Sequence, residues 1–370
     1  MKIIYTIIIF ECLFHASLFA QLKLIEGHVE KSEEYDFSGQ AVFRKLLSSY
    51  DHAFCLFYSE DDDTDYPEYY IQFYSDSMTL SDEIQIDLRY GKKGRKERNF
   101  EDLVQRPGFQ YLLFTSYNHE KEDYNKLFKE TINPALRQQV FDMQEISGIA
   151  YESHFNTGNF FFDTSPDSSK FGIAGDLTKS QENLETVNFR VYDSAFNIML
   201  NQNVQIPYYF SLSPLRQYEV DNNGNAYILY ENKIDKKKNF SHNEQNEYPV
   251  LLIRRRDFKT RLIPVRFESV HINDLRIIHQ DHSMYCLGLY SEKSQTSVRG
   301  TFCIKMNVDS VQIMNERITP FEYDFLLHFM KKRRAKRGKE LVMFHLDTVL
   351  SDESGALYLI SEEKSEISSY

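Results

Sequence analysis

Residues 218–233 read YEVDNNGNAYILYENK. A short alternating stretch runs into Asp221, Asn222, Asn223 and Gly224, and an apolar strand follows from Ala226. Asp, Asn and Gly are what a hairpin turn needs, because a short polar side chain bonds the nearby backbone and Gly takes a left-handed conformation at no steric cost. The same unit of turn and strand occurs six times. The strands are AFCLFYSE from Ala53, FQYLLFTSYN from Phe109, FGIAGDL from Phe171, AYILYENKI from Ala226, MYCLGLYSE from Met284 and ALYLISEEK from Ala356. The turns before them contain Asp51, Pro107, Asp167, Asp221, Asp281 and Asp352, spaced by 56, 60, 54, 60 and 71 residues. Such a period is the signature of a repeat architecture.

A second hairpin follows each of these strands. YYIQFYSDSMTL from Tyr69, NFRVYDSAFNIML from Asn188, LLIRRRDFKTRLI from Leu251 and TFCIKMNVDSVQI from Thr301 share one form: strand, Asp at a turn, strand. The Asp residues are Asp76, Asp193, Asp257 and Asp309; the second unit carries Asn133-Pro134 instead. Four antiparallel strands per unit, repeated about six times, predict an all-β chain: a single β-propeller of about six four-stranded blades. A pair of β-sandwiches is the alternative, and it does not require the regular spacing. Polar stretches at Lys92 to Arg98, Lys179 to Leu184 and Asp235 to Glu247 read as surface loops. The sixth unit lacks two strands. Leu22 to Val29 (LKLIEGHV) is a spare strand expected to complete it, since closure removes exposed edges; the competing expectation is truncation within that blade.

The chain has 370 residues and is 42% apolar, with 29 Phe, 25 Tyr and no Trp, a composition suited to strands around a real core. The net charge of −12 argues against bulk attraction to nucleic acid. Residues 1–20 read as a secretory signal: Lys2, then apolar runs from Ile3 to Phe10 and Leu13 to Phe19, with a cut after Ala20 that leaves Gln21 first. The expectation is a mature domain over 21–370, extracytoplasmic and without a membrane-spanning segment. Cys12 lies in the leader, where Phe10-Glu11 does not make a lipobox. Cys55, Cys286 and Cys303 remain, an odd number in apolar strands, and are expected as buried free thiols. Cys286 and Cys303 could face each other on neighbouring strands.

One segment breaks the β pattern. Over 321–340, Phe325, Leu326, Phe329 and Met330 fall at helical spacing, followed by Lys331, Lys332, Arg333, Arg334, Lys336, Arg337 and Lys339, with Gly338 as a helix stop. This predicts an inserted helix packed by its apolar side, with a basic end. Those seven cations repel one another unless something compensates. They would meet an acidic partner, or they would neutralise the acidic body of the chain itself.

The remaining candidates read as structure. Asp167, Asp221, Asp281 and Asp352 could form a ring of carboxylates on one face, but turn chemistry explains them. Glu60, Asp61, Asp62, Asp63 and Asp65 mimic the start of a calcium loop, yet Tyr66 stands where Gly is needed, so a solvated acidic loop is expected. His271, His279 and His282 could be zinc ligands, but no metalloprotease motif surrounds them. There is no Gly-x-Ser-x-Gly and no Gly-rich phosphate loop, and Ser361 to Lys364 matches Ser-x-x-Lys only by chance. No cofactor or metal is expected.

The segments from Tyr218, from Ser165 (SPDSSKFGIAG) and from Thr186 (TVNFRVYDSAFNIML) resemble a group of uncharacterised secreted β-propeller-like proteins of Bacteroidota, and a leader ending Ala20-Gln21 fits that source. The resemblance covers most of the mature chain, implies the fold and carries over no catalytic residues; the chain departs from it at the C-terminus. The functional expectation is an extracytoplasmic binding or scaffold protein that recognises an envelope protein or an anionic glycan through propeller-face loops, without catalysis. The alternatives are a propeller hydrolase or lyase acting on a glycan or peptide, and a polyanion binder working through the basic helix.

Overall fold

The computed structural model describes residues 6–10, 23–24, 41–48, 54–60, 67–75, 79–90, 96–106, 110–119, 124–133, 135–136, 138–150, 158–177, 186–206, 215–231, 248–280, 282–293, 297–352 and 354–363. The chain divides into two compact units. The smaller comprises Val29–Phe162 and Ala174–Asn188, the larger Met1–His28, Asp163–Ile173 and Phe189–Tyr370.

The smaller unit holds two antiparallel meanders in chain order. The first sheet is Ala41–Ser48, Phe54–Glu60, Glu68–Tyr74 and Leu80–Ile86; the second is Asn99–Arg106, Gln110–His119, Tyr124–Asn133 and Gln138–Ala150. Phe57, Ile71, Leu103, Tyr111, Leu113 and Ile132 join in one core. Each such side chain contributes about 1.5–3 kcal/mol on full burial. Asn133 replaces the usual turn Asp, and its Oδ1 accepts the Leu136 N–H at 3.1 Å.

The segment Lys92 to Arg98 is not wholly a surface loop. Lys96–Glu97 pairs with Arg89–Tyr90, and Arg98 turns inward, 3% exposed. Arg98 donates to Glu130 Oε1 at 2.9 Å, to Thr115 Oγ1 at 2.9 Å and to the Leu88 carbonyl at 3.2 Å. Gln139 donates to the other Glu130 oxygen at 2.6 Å. A guanidinium is tolerated at this depth because it is paired and its donors are satisfied.

A third sheet, Phe160–Thr164, Lys170–Leu177, Thr186–Asp193 and Ile198–Gln205, also runs in chain order, with residues in both units. The larger unit adds a fourth sheet (Leu215–Val220, Ala226–Tyr230, Tyr248–Ile253, Thr260–Val265) and a fifth (His271–Gln280, Ser283–Ser291, Gly300–Asn307, Gln312–Pro320). The middle strands AYILY and YPVLLI are buried throughout, whereas the last strand of the fourth sheet is mostly exposed. Middle strands covered on both faces read as unbroken apolar runs, which is why they dominate the sequence pattern. First strands of consecutive sheets are neighbours here: the Gln217 amide donates to the Ile277 carbonyl at 2.8 Å and accepts the Ile277 N–H at 2.9 Å.

The turns use one device. In Asp221–Asn225, Oδ1 of Asp221 accepts the N–H groups of Asn223 and Asn225, both at 2.9 Å, and Oδ2 accepts the Tyr227 hydroxyl at 2.9 Å. Gly224 sits at φ 80°. Asp352 repeats this with the N–H groups of Ser354 and Ala356 and the Tyr358 hydroxyl, with Gly355 at φ 83°. The turn reading therefore holds for both. Beside Asp167, Ser165 takes the equivalent place. Asp51, Asp76, Pro107 and Asp281 lie outside the described residues.

The sixth sheet has the order Lys23–Leu24, Thr6–Phe10, Leu357–Glu363, Phe344–Ser351. N-terminal strands thus supply its two missing members. Among the described residues the expected segment contributes Lys23–Leu24, at the edge; the strand paired directly with Leu357–Ser361 is Thr6–Phe10. That strand falls within the stretch read as a leader, and a chain cut after Ala20 would lack it.

Candidate functional site

The chain leaves the fifth sheet at Pro320 and forms two short helices, α1 (Tyr323–Phe329) and α2 (Lys332–Ala335), before Phe344 opens the sixth sheet. Phe321, Phe325 and Leu326 are buried with Leu287, Leu289, Phe344, Leu346 and Leu357. Ala335 anchors α2 in the same cluster. The single helix expected over 321–340 is broken at Met330, which is extended at φ −146° and ψ 161°. A continuous helix would stack Lys332 on Lys336 and Arg333 on Arg337 at i,i+4, where like charges repel. Gly338, at φ 56°, ends the segment as expected, and its carbonyl accepts from Arg299 at 3.1 Å.

Lys331, Lys332, Arg333, Arg334, Lys336, Arg337 and Lys339 are all exposed. Among the described residues none of the seven makes an ion pair. The adjacent carboxylate, Glu340, is buried and accepts the Glu292 N–H at 2.9 Å and the Ser297 hydroxyl. Neutralisation by the chain's own acids therefore finds no partner among the described residues.

A register defect repeats in the first strands of the sheets. The pairing of first and second strand shifts at Arg44, Glu101, Arg216, Asn273 and Asp347, one residue in each of five sheets. Such bulges re-aim a side chain and are frequent beside functional sites. Arg44 reaches the Ser59 hydroxyl at 3.0 Å and Arg216 pairs with Glu231, each fifteen positions along the chain; Ser116 stands in the same relation to Glu101. Burial pushes the Glu101 carboxyl up to about 7, with Asp102 adding repulsion and Ser116 opposing. Asp102 is also raised by burial, against the attraction of Lys45 at 3.4 Å. Sequence reading missed this set because the bulge residues share a position and no common side chain.

The larger unit also contains a cleft of about 580 Å³, lined by Met199, Asn223, Asn225, Arg254, Arg255, Arg256, Phe258, His282 and Asp309. Its signal, RRR at 254–256, stood within a segment read only as a hairpin.

The other candidates do not assemble. His271 and His279 stand near opposite ends of one strand, about 26 Å apart at the ordinary strand rise. His279 is buried, 3.0 Å from Glu219 and against the Tyr227 ring. His282 is exposed at a turn. Among the described residues no group of three or more His, Cys, Asp or Glu could hold a metal ion, and no helix is long and apolar enough to cross a membrane. Asp61, Asp62, Asp63 and Asp65 lie outside the described residues. Ser361 is buried mid-strand, unlike a helix-borne nucleophile. Cys55 and Cys286 are buried free thiols and Cys303 is half-buried; Cys303 pairs across the sheet with Leu287, not Cys286.

No protein-family model matches the chain, and no curated protein does. Among solved structures the chain is similar to the polysaccharide lyase Uly1, with 8% identity, TM-score 0.46 and coverage of 88% of this chain and 78% of the lyase. It is also similar to a protein from Lactobacillus plantarum (11% identity, TM-score 0.38, 86% and 97% covered). A third is the β-propeller domain of the Trilobed protease from Pyrococcus furiosus (10% identity, TM-score 0.40, 75% and 72% covered).

Proposed function

We propose that the six sheets are the blades of one β-propeller, and that the protein is an extracytoplasmic binding protein holding an anionic glycan on the α1–α2 surface. The blade reading is supported by the repeated four-strand meander. The location is supported by the leader-like residues 1–20.

One observation carries the binding reading: seven exposed cations, none ion-paired among the described residues, on a platform pinned by Phe325, Leu326 and Ala335. Point charges without an aromatic centre suit a polymer of repeating charge better than a packed protein interface. The test is retention on immobilised heparin, a model anionic glycan. Replacing the seven cations with Ser, all of them on the surface, abolishes retention while the circular dichroism spectrum stays unchanged. Retention equal to that of the native chain refutes the reading.

The hydrolase or lyase alternative is supported by Glu101, a carboxyl held near neutrality on a bulge, the condition a general acid requires. Glycan cleavage abolished by Glu101→Gln, with binding intact, would favour it over pure binding.

A further inference from the structure

The three arginines of the fourth sheet's second hairpin do separate things. Arg254 is buried, 6% exposed, and one nitrogen pairs with Asp257 at 2.5 Å. Its Nε is buried without a partner. Arg255 is held at the backbone by Asn225, whose Oδ1 accepts the Arg255 N–H at 3.0 Å, and it donates one guanidinium N–H to the Asn223 carbonyl at 3.3 Å. Arg255 and Arg256, both exposed, line the cleft. Among the described residues neither makes an ion pair. The acid in the lining is Asp309, set against Arg255, Arg256 and His282.

The apolar part of the lining is equally specific. Phe258 is 55% exposed and lies at φ 54°, in the left-handed region that favours glycine. The Phe258 carbonyl accepts from the Gln202 amide at 3.2 Å. Met199 lies beside it in the lining. A turn would normally place Gly or Asn there. The same left-handed backbone recurs in other hairpins at Ser168, Phe196 and Val311, so it belongs to the turn; what is particular to Phe258 is an exposed ring that gives a ligand a flat face.

We propose that this cleft binds a small anionic ring compound, a sugar-sized ring bearing a carboxylate, with the oxyanion on Arg255 and Arg256 and the ring against Phe258. Bidentate guanidinium contacts suit a planar carboxylate. The volume falls within the usual range for small-ligand sites. The site is separate from the α1–α2 surface and shares no residue with it, so either can fail alone.

The test is calorimetric titration of the full chain with glucuronate, glucose and inorganic sulfate. Glucuronate is expected to bind at least tenfold more tightly than sulfate, and glucose to show no heat. Arg256→Gln weakens glucuronate at least tenfold. Phe258→Gly, which also relieves the backbone, weakens glucuronate and leaves sulfate unchanged. The seven-fold Ser variant of the basic segment binds glucuronate like the native chain. Equal affinities for sulfate and glucuronate overturn the ring assignment, and absence of glucuronate binding overturns the site.

Discussion

Replacing Arg98 by Met is the perturbation whose size the structure defines best. The Arg98 and Glu130 side chains are 1% and 3% exposed. Arg98 gives Glu130 two hydrogen bonds, at 2.9 and 3.3 Å, and spends its other donors on Thr115 and on the carbonyls of Leu88 and Asp87. Without the guanidinium, Glu130 keeps the Gln139 amide as a donor and becomes an uncompensated buried charge. Removing one member of such a pair costs about 3–5 kcal/mol, whereas replacing both by apolar groups of similar volume is often nearly neutral. Arg98→Met should therefore lower stability by about 3–5 kcal/mol, a large part of a typical domain's total. Arg98→Met with Glu130→Met should cost less than the single change. The assay is urea unfolding followed by far-ultraviolet circular dichroism, because the chain has no Trp to report by fluorescence. A single variant within about 1 kcal/mol of the native chain, or a double variant worse than the single, would refute the reasoning.

Three further outcomes follow from the same geometry. Asp221→Ala strips a 2%-exposed turn of its acceptor and takes from the buried Tyr227 hydroxyl the carboxylate it donates to, so it should cost about 3 kcal/mol; Asp352→Ala, at an exposed copy of that turn, should cost clearly less, and equal losses in urea titrations would contradict the burial argument. Glu101 is held at about 7 in the folded chain against an ordinary 4.5. The folded state thus keeps that proton more tightly, and stability from this group is full below about 4.5 and is lost as pH rises through about 7. Glu101→Gln should accordingly gain roughly 3 kcal/mol on the native chain at pH 8 and nothing at pH 4, and a difference independent of pH would exclude the shift. Finally, if Thr6–Phe10 is a permanent strand, a chain starting at Gln21 should melt lower than the full chain; the amino-terminal sequence of the exported protein decides between that strand and a leader.

The meander was legible because middle strands buried on both faces give uninterrupted runs such as AYILY, and because Asp221 and Asp352 leave a visible mark at each turn. The apolar side of the insertion was legible from Phe325 and Leu326, but not its break at Met330, which depends on packing and on charge spacing that periodicity does not weigh. Arg98 read as loop because a lone Arg in a polar stretch gives no hint of Glu130 thirty-two positions away. The bulges at Arg44, Glu101 and Arg216 are register events and leave no residue signature. The arginine cleft was half legible: RRR at 254–256 is a plain run of sequence, but its convergence with Asn223, Phe258 and His282 comes from adjoining sheets.

The central claim is that the exposed cations of α1–α2 bind a polyanion. Its most direct test is the salt dependence of heparin affinity for the native chain and for the variant with Lys331, Lys332, Arg333, Arg334, Lys336, Arg337 and Lys339 replaced by Ser. The account predicts that the logarithm of affinity falls linearly with the logarithm of salt concentration, with a slope of about −3 to −5, and that the variant loses both the affinity and the slope. A slope unchanged by the seven replacements would contradict it.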